Sequence, residues 1–237
     1  RAREFYDAQQ YTRAAELFAQ VIPRFRASAE SEELNWLNAQ CYYNMKQYDI
    51  AGSFFKSLVE QYPFGEFAEQ ASFLGAYCDY RLAPRAELDQ QSAKDAIEGF
   101  AVFVNRFPDS PKVPEAQEYL NILQNRLVEK SYLSARLYYN MKQYKAAITA
   151  LTNSLKEYSE SKYREEMMYL RLHSLYLYAE KSIPARQRER FQETLDDYFS
   201  FMEEYPESKY SKEVQKIYDS TARYLNINPA DNLENNE

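Results

Sequence analysis

The heptapeptide YYNMKQY occurs at residues 42–48 and again at 138–144. A second copy of so uncommon a phrase in one chain points to an internal repeat, the feature that most restricts the available folds. The surrounding residues repeat in the same frame. Tyr11, Ala14, Phe18 and Phe25 correspond to Tyr48, Ala51, Phe55 and Tyr62. Further copies are Ala93/Ala96/Phe100/Phe107, Tyr144/Ala147/Leu151/Tyr158 and Phe191/Thr194/Tyr198/Tyr205. Within each copy the apolar positions fall at i, i+3 and i+7, one face of an α-helix. A second helix precedes each one, marked by a small residue and a tyrosine four positions later. These pairs are Ala2/Tyr6, Ala39/Tyr43, Ala76/Tyr80, Ala135/Tyr139 and, with a weaker match, Ser174/Tyr178. The repeated phrase is then the hinge inside a helix–turn–helix unit. Only 4 glycines occur in 237 residues, too few for the turns of an all-β fold or a phosphate-binding loop.

The predicted architecture is all-α, a right-handed α-solenoid of about five helix pairs. Its small–aromatic–Tyr, Ala, Phe and closing Pro order is similar to the tetratricopeptide repeat. Extra length lies in the third and fourth units. Residues 81–91 insert a proline-containing loop, and 110–139 read as a lengthened helix pair or one extended helix. The chain then divides into three regions: repeats over 1–110 as a substrate-binding half, repeats over 111–225 as a partner-docking half, and an acidic, aperiodic tail over 226–237 expected to be disordered. The chain begins at Arg1 rather than methionine, so any signal or anchor is expected upstream.

Little here has the form of catalytic chemistry. His173 is the single histidine, set in an apolar-rich helix, and reads as a packed residue. The carboxylate pairs Glu165/Glu166, Asp196/Asp197 and Glu203/Glu204 are sequence neighbours, which a helix splays apart, and read as solvated surface. Cys41 and Cys78 lack metal or redox spacing. They fall at equivalent places on the first helices of successive repeats, too far apart to bridge, and are expected to be free thiols. No enzyme, metal or cofactor is expected. The net charge of −7 argues against a nucleic-acid partner.

Binding is expected where the first helix of each pair lines a concave wall. Aromatics are 16% of the chain, 23 of them tyrosine. Along the predicted wall stand Tyr6, Tyr43, Tyr80, Tyr139 and Tyr178, with Trp36, Phe73, Tyr132 and Arg171 two helical turns before the last four. In the N-terminal half this gives a candidate peptide groove of Tyr6, Trp36, Tyr43, Phe73 and Tyr80. Two readings stand: a ladder of rings open to a ligand, or rings that pack neighbouring repeats together. A second candidate surface is basic, with Arg164 at the corner after the fourth repeat and Arg186, Arg188 and Arg190 in one loop over 183–190. A solvated loop is its plain alternative.

Taken together, the Tyr-rich repeats, the corners YPES (205–208), FPDS (107–110) and YSES (158–161), and the loop carrying Pro84 and LDQ (88–90) resemble the BamD family of outer-membrane lipoproteins. The likeness runs from residue 1 to about 225, and the long loop resembles versions from Bacteroidetes-type bacteria. The resemblance implies a non-enzymatic scaffold and substrate receptor of the β-barrel assembly machinery, lipid-anchored at the periplasmic face of the outer membrane through a cysteine that would precede Arg1. It implies three kinds of partner. N-terminal repeats would receive C-terminal signals of unfolded outer-membrane proteins; C-terminal repeats would dock a POTRA domain of the barrel-forming protein through a corner arginine within one residue of Arg164; accessory lipoproteins could attach elsewhere. Serine in place of proline in YSES is expected to loosen one corner without changing the fold. The alternative is another periplasmic tetratricopeptide adaptor, coordinating envelope or peptidoglycan processes.

Overall fold

A computed structural model describes residues 1–25 and 28–227; the acidic residues 228–237 of the expected tail lie outside the described residues. The described chain is built of helices. They are α1 (Ala2–Asp7), α2 (Tyr11–Val21), α3 (Ser31–Asn44), α4 (Tyr48–Gln61), α5 (Ala68–Leu82), α6 (Gln91–Arg106), α7 (Val113–Asn140), α8 (Tyr144–Glu157), α9 (Arg164–Glu180), α10 (Pro184–Glu204) and α11 (Ser211–Leu225). A short 3₁₀ turn, Ile22–Arg24, follows α2. Successive helices pair as the repeat predicts, giving stacked hairpins in an α-solenoid arrangement. The lengthened segment of the fourth repeat is one continuous helix, α7.

The chain divides into two compact units, Arg1–Leu127 and Val128 onward. The division lies inside α7, beyond the boundary expected after residue 110. The displacement has a packing cause. In the first unit Ala116 and Leu123 of α7 are fully buried against Phe73, Phe100 and Phe103. In the second, Tyr132 and Ala135 of the same helix join Leu151, Met167 and Phe201.

The repeated heptapeptide closes α3 and α7 with a Schellman motif. The Gln47 N–H donates to the Tyr42 carbonyl (3.0 Å) and the Lys46 N–H to that of Tyr43 (2.9 Å); Gln143 and Lys142 do the same to Tyr138 and Tyr139. This closure needs one residue in the left-handed region. Lys46 (φ 60°) and Lys142 (φ 59°) occupy it, as does Gln9 (φ 57°) in the first hinge. Glycine is the usual choice there, because a Cβ costs roughly 1–2 kcal/mol in that region.

The far ends of the hairpins are equally regular. After the closing aromatic Phe25, Tyr62, Phe107, Tyr158 or Tyr205, the third residue on (Ser28, Gly65, Ser110, Ser161, Ser208) donates its N–H to the aromatic's carbonyl. Its own carbonyl then accepts from the first residue of the next helix: Ser31, Ala68, Val113, Arg164 or Ser211. The YSES corner makes the same two bonds as the proline corners. Serine hydroxyls tie corners back across the hairpin. Ser110 Oγ donates to Glu69 (2.6 Å) and Ser208 Oγ to Glu165 (2.7 Å). Where the corner carries Gly65, Glu32 reaches in and accepts the Phe67 N–H at 2.9 Å.

Cores follow the frame: Ala14, Phe18, Ala51, Phe55, Ala96, Phe100, Ala147 and Leu151 are fully buried. Cys41 and Cys78 are free and buried, and burial pushes their thiols up to about 11 and about 12.

Candidate binding surfaces

Three of the hinge tyrosines meet the ring that opens the second helix of their own hairpin; Tyr80, which faces Ala93 in the frame, does not. Tyr6 packs edge-on against Tyr11 (5.7 Å between centroids), Tyr43 against Tyr48 (5.8 Å) and Tyr139 against Tyr144 (6.4 Å). In the fifth hairpin the ring that meets Phe191 is Tyr176, at 6.1 Å. The fifth-repeat register expected from Ser174/Tyr178 is therefore corrected by two residues. Leu172, fully buried, takes the place of Ala39, Ala76 and Ala135, and Ser174 takes that of Cys41 and Cys78. The small residue that signalled the register belonged to the neighbouring position. Tyr178 instead lies under the Arg190 guanidinium, 3.9 Å from its centroid.

The earlier rung of the expected ladder is used at the corners. Trp36 stacks on Phe67 at 5.0 Å, and Tyr132 on Tyr163 at 4.3 Å with an interplanar angle of 1°. The corrected fifth member is Tyr169, stacked on Tyr210 at 4.1 Å, rather than Arg171. Phe73 is 5% exposed, held edge-on by Phe100 and Phe103. Trp36 thus packs against the corner of the next repeat and Phe73 inside its own hairpin.

Rings do gather in the first unit, by a different route. Tyr77 lies 6.3 Å from Tyr43, 5.8 Å from Tyr80 and 5.4 Å from Tyr119, and Tyr80 and Tyr119 approach to 4.5 Å. All four are half-buried. Burial, with the neighbouring phenols, pushes Tyr43 up to about 12. Burial also raises Tyr119, helped by its hydrogen bond to Glu115. Tyr77 stands three residues before Tyr80, one helical turn away. Tyr119 comes from the lengthened part of α7, which the aligned sequence copies do not cover.

Arg81 borders this cluster. Its guanidinium lies 4.6 Å from the Tyr48 centroid and 5.8 Å from that of Tyr77, and it donates to the Tyr77 hydroxyl at 3.3 Å. It is exposed and makes no ion pair among the described residues. Nearby Lys56, by contrast, is taken by Asp79 at 2.7 Å. A cleft of about 300 Å³ opens on the corner side of the same unit, lined by Glu69, Gln70, Phe73, Leu74, Phe103, Pro111 and Lys112.

The basic residues of the second unit separate into two environments. Arg164, the first residue of α9, donates to both carboxylate oxygens of Glu204 and to the Leu155 carbonyl. That hydrogen bonding raises Arg164 and holds Glu204 below the usual carboxylate range. Residues 184–190 are helix rather than loop. Pro184 occupies the first turn of α10, its fixed φ suiting a helix start, and Arg186, Arg188 and Arg190 lie further along that helix. Arg186 pairs with Glu189 (2.8 Å), Arg188 is exposed, and Arg190 turns inward to Ser182 and Tyr178.

The carboxylate pairs expected to be solvated are corrected in part. Glu165 accepts from Ser208, Glu166 from the Tyr132 hydroxyl (2.7 Å), and Asp197 is 9% exposed and paired with Arg171. Desolvation raises Asp197 despite that guanidinium. His173 packs in α9, its Nδ1 hydrogen-bonded to the Tyr139 hydroxyl at 2.8 Å, and burial lowers its pKa. No helix of the described residues is long and apolar enough to cross a membrane.

Residues 1–170 match the family model described as YfiO, outer membrane lipoprotein. No curated protein matches the chain. Among solved structures, the TPR2AB-domain:pHSP90 complex of yeast Sti1 is similar at 15% identity and a TM-score of 0.39, over 93% of this chain and 95% of that one.

Proposed function

The chain belongs to the YfiO family of outer membrane lipoproteins, and on that premise we propose that it is a non-enzymatic receptor and scaffold for inserting β-barrel proteins into the outer membrane. In this reading it is lipid-anchored on the periplasmic face. The first unit receives C-terminal signals of unfolded barrel proteins, and the second docks a POTRA domain of the barrel-forming partner. The observation that carries the reading is the half-exposed cluster of Tyr43, Tyr77, Tyr80 and Tyr119 with the unpaired Arg81 at its edge. Such rings offer flat apolar faces and hydroxyls at low rotamer cost, suited to an extended strand bearing alternate aromatics. Arg81 supplies a counter-charge for that strand's terminal carboxylate.

The test is a titration with a peptide ending in alternating aromatic residues and a free carboxylate. Arg81→Ala, which removes no ion pair, is expected to weaken binding about tenfold or more, as is amidation of the peptide. Affinity indifferent to both would remove the groove assignment. For the second unit, Glu204→Gln frees the Arg164 guanidinium from its internal partner while keeping its charge. Partner docking through Arg164 predicts that this variant binds a POTRA domain at least as well as the parent, whereas Arg164→Ala binds less. Equal loss in both would make Arg164 a clasp of the corner only.

A further inference from the structure

At the hinge end of the second unit, an open cavity of about 810 Å³ lies between the start of α8 and the end of α9. Tyr138, Lys142, Tyr144, Lys145, Tyr178 and Lys181 form its walls, and no carboxylate lines it. We propose that this groove docks an acidic peptide segment of a partner protein, one whose carboxylates alternate with apolar side chains.

Charge complementarity carries the choice of occupant. The chain is acidic overall, at −7, yet three ammonium groups converge here. None of the three makes an ion pair among the described residues. The closest carboxylate in sequence, Glu180, is occupied by the Tyr176 hydroxyl at 2.6 Å. Lys181 lies 4.9 Å from the Tyr144 centroid and Arg190 3.9 Å from that of Tyr178, so cations already dress the ring walls. Exposed apolar residues stand beside the lining residues in sequence: Leu137 is 57%, Met141 56% and Ile183 67% exposed. Ammonium groups above apolar walls match a peptide carrying both kinds of side chain. The groove is also remote from Arg164, which sits at the opposite end of α9.

Lys142 adds an independent sign. It holds the left-handed position of the hinge, where glycine is less strained, and its side chain stands at the lip of the groove. Lys46 holds the same position in the first copy of the heptapeptide, and there the capping cation over Tyr48 is Arg81. The two hinges therefore allow a matched comparison in which the fold responds alike and binding does not.

The experiment uses the full chain and a fluorescein-labelled dodecapeptide alternating Glu with Tyr, compared with its Lys-for-Glu counterpart. The acidic peptide is expected to bind, with affinity falling as salt rises, and the basic one is not. Lys142→Gly and Lys181→Ala are each expected to weaken binding about fivefold or more. Lys46→Gly and Lys142→Gly are expected to raise the melting temperature to similar extents, and Lys46→Gly to leave binding unchanged. Equal binding of both peptides, or an unchanged affinity for Lys142→Gly, overturns the proposal. So does binding to phosphatidylglycerol vesicles without binding to the peptide, which would assign the groove to lipid headgroups. A chain ending at Ile227 that binds the peptide many-fold tighter than the full chain would assign the groove to residues 228–237 and also overturn it.

Discussion

Gly65 and Glu32 show how one residue can be read only through its partner. A Cβ at Gly65 would lie 2.0 Å from Glu32 Oε1, so the glycine makes room for a carboxylate that elsewhere meets a serine hydroxyl. Its φ is not positive, so a side chain is excluded by space rather than by backbone strain. Gly65→Ala should push Glu32 out and break the Phe67 N–H bond, at a cost of about 1 kcal/mol. Gly65→Ser should cost less, because its hydroxyl can donate to Glu32 as Ser110 does to Glu69; thermal melts of the two variants decide. His173 gives a pH dependence of defined sign. Its folded pKa is lowered by burial and lies below the unfolded value near 6.5, so between the two the unfolded chain binds more protons. This contribution is complete above the unfolded pKa and is lost as pH falls below it. His173→Gln should therefore flatten the decline in melting temperature between about pH 7 and pH 5, and a parallel decline in both proteins would contradict the assignment.

Among the helices, close approach sets a small residue of the repeat frame against one that the frame does not mark. Gly99 on α6 faces α5, and a Cβ there would come 2.9 Å from Ala76 Cβ and 3.3 Å from Ala76 Cα. Neither atom can rotate away. Alanine ordinarily gains about 1 kcal/mol over glycine inside a helix, but overpacking costs typically about 1–3 kcal/mol. Gly99→Ala should thus be destabilising, and a denaturation midpoint above the parent's would show that α5 and α6 have slack. The element scale is also where the repeat register slips by two residues. Ser174 has the small side chain the register sought, but Leu172 occupies the equivalent position, as the Tyr176–Phe191 contact and the Tyr169–Tyr210 stack show. The stretch 183–190 misleads for another reason: a proline among arginines reads as a loop, yet proline is well suited to the first turn of a helix, and Pro184 begins α10.

For the chain as a whole, hairpins that touch chiefly their neighbours make stability a local sum. The first unit buries Ala116 and Leu123 of α7 in its own core. A chain ending at Leu127 should retain helical circular dichroism and a cooperative melt, and a featureless melt would show that Arg1–Leu127 does not fold alone. Periodicity alone determined the helix pairs, the hinge phrase and the buried Ala/Phe frame, because each depends on neighbours within one repeat; the free thiols followed from the spacing of equivalent helices in successive repeats. Family kinship was legible in the corners, whose turns are local as well. What the tertiary structure decided is which rings are spent on packing and which remain half-open. Trp36 and Phe73 were committed by residues from the next corner and the next helix, Phe67, Phe100 and Phe103. Tyr119 reached the ring cluster from the lengthened helix α7, and Lys142, Lys145 and Lys181 line one groove from a hinge, the start of α8 and the residue that follows α9. A tyrosine on a helix face looks the same in sequence whether the space beside it holds another ring or water. That space is filled by residues roughly 30 to 40 positions away, and only packing assigns it.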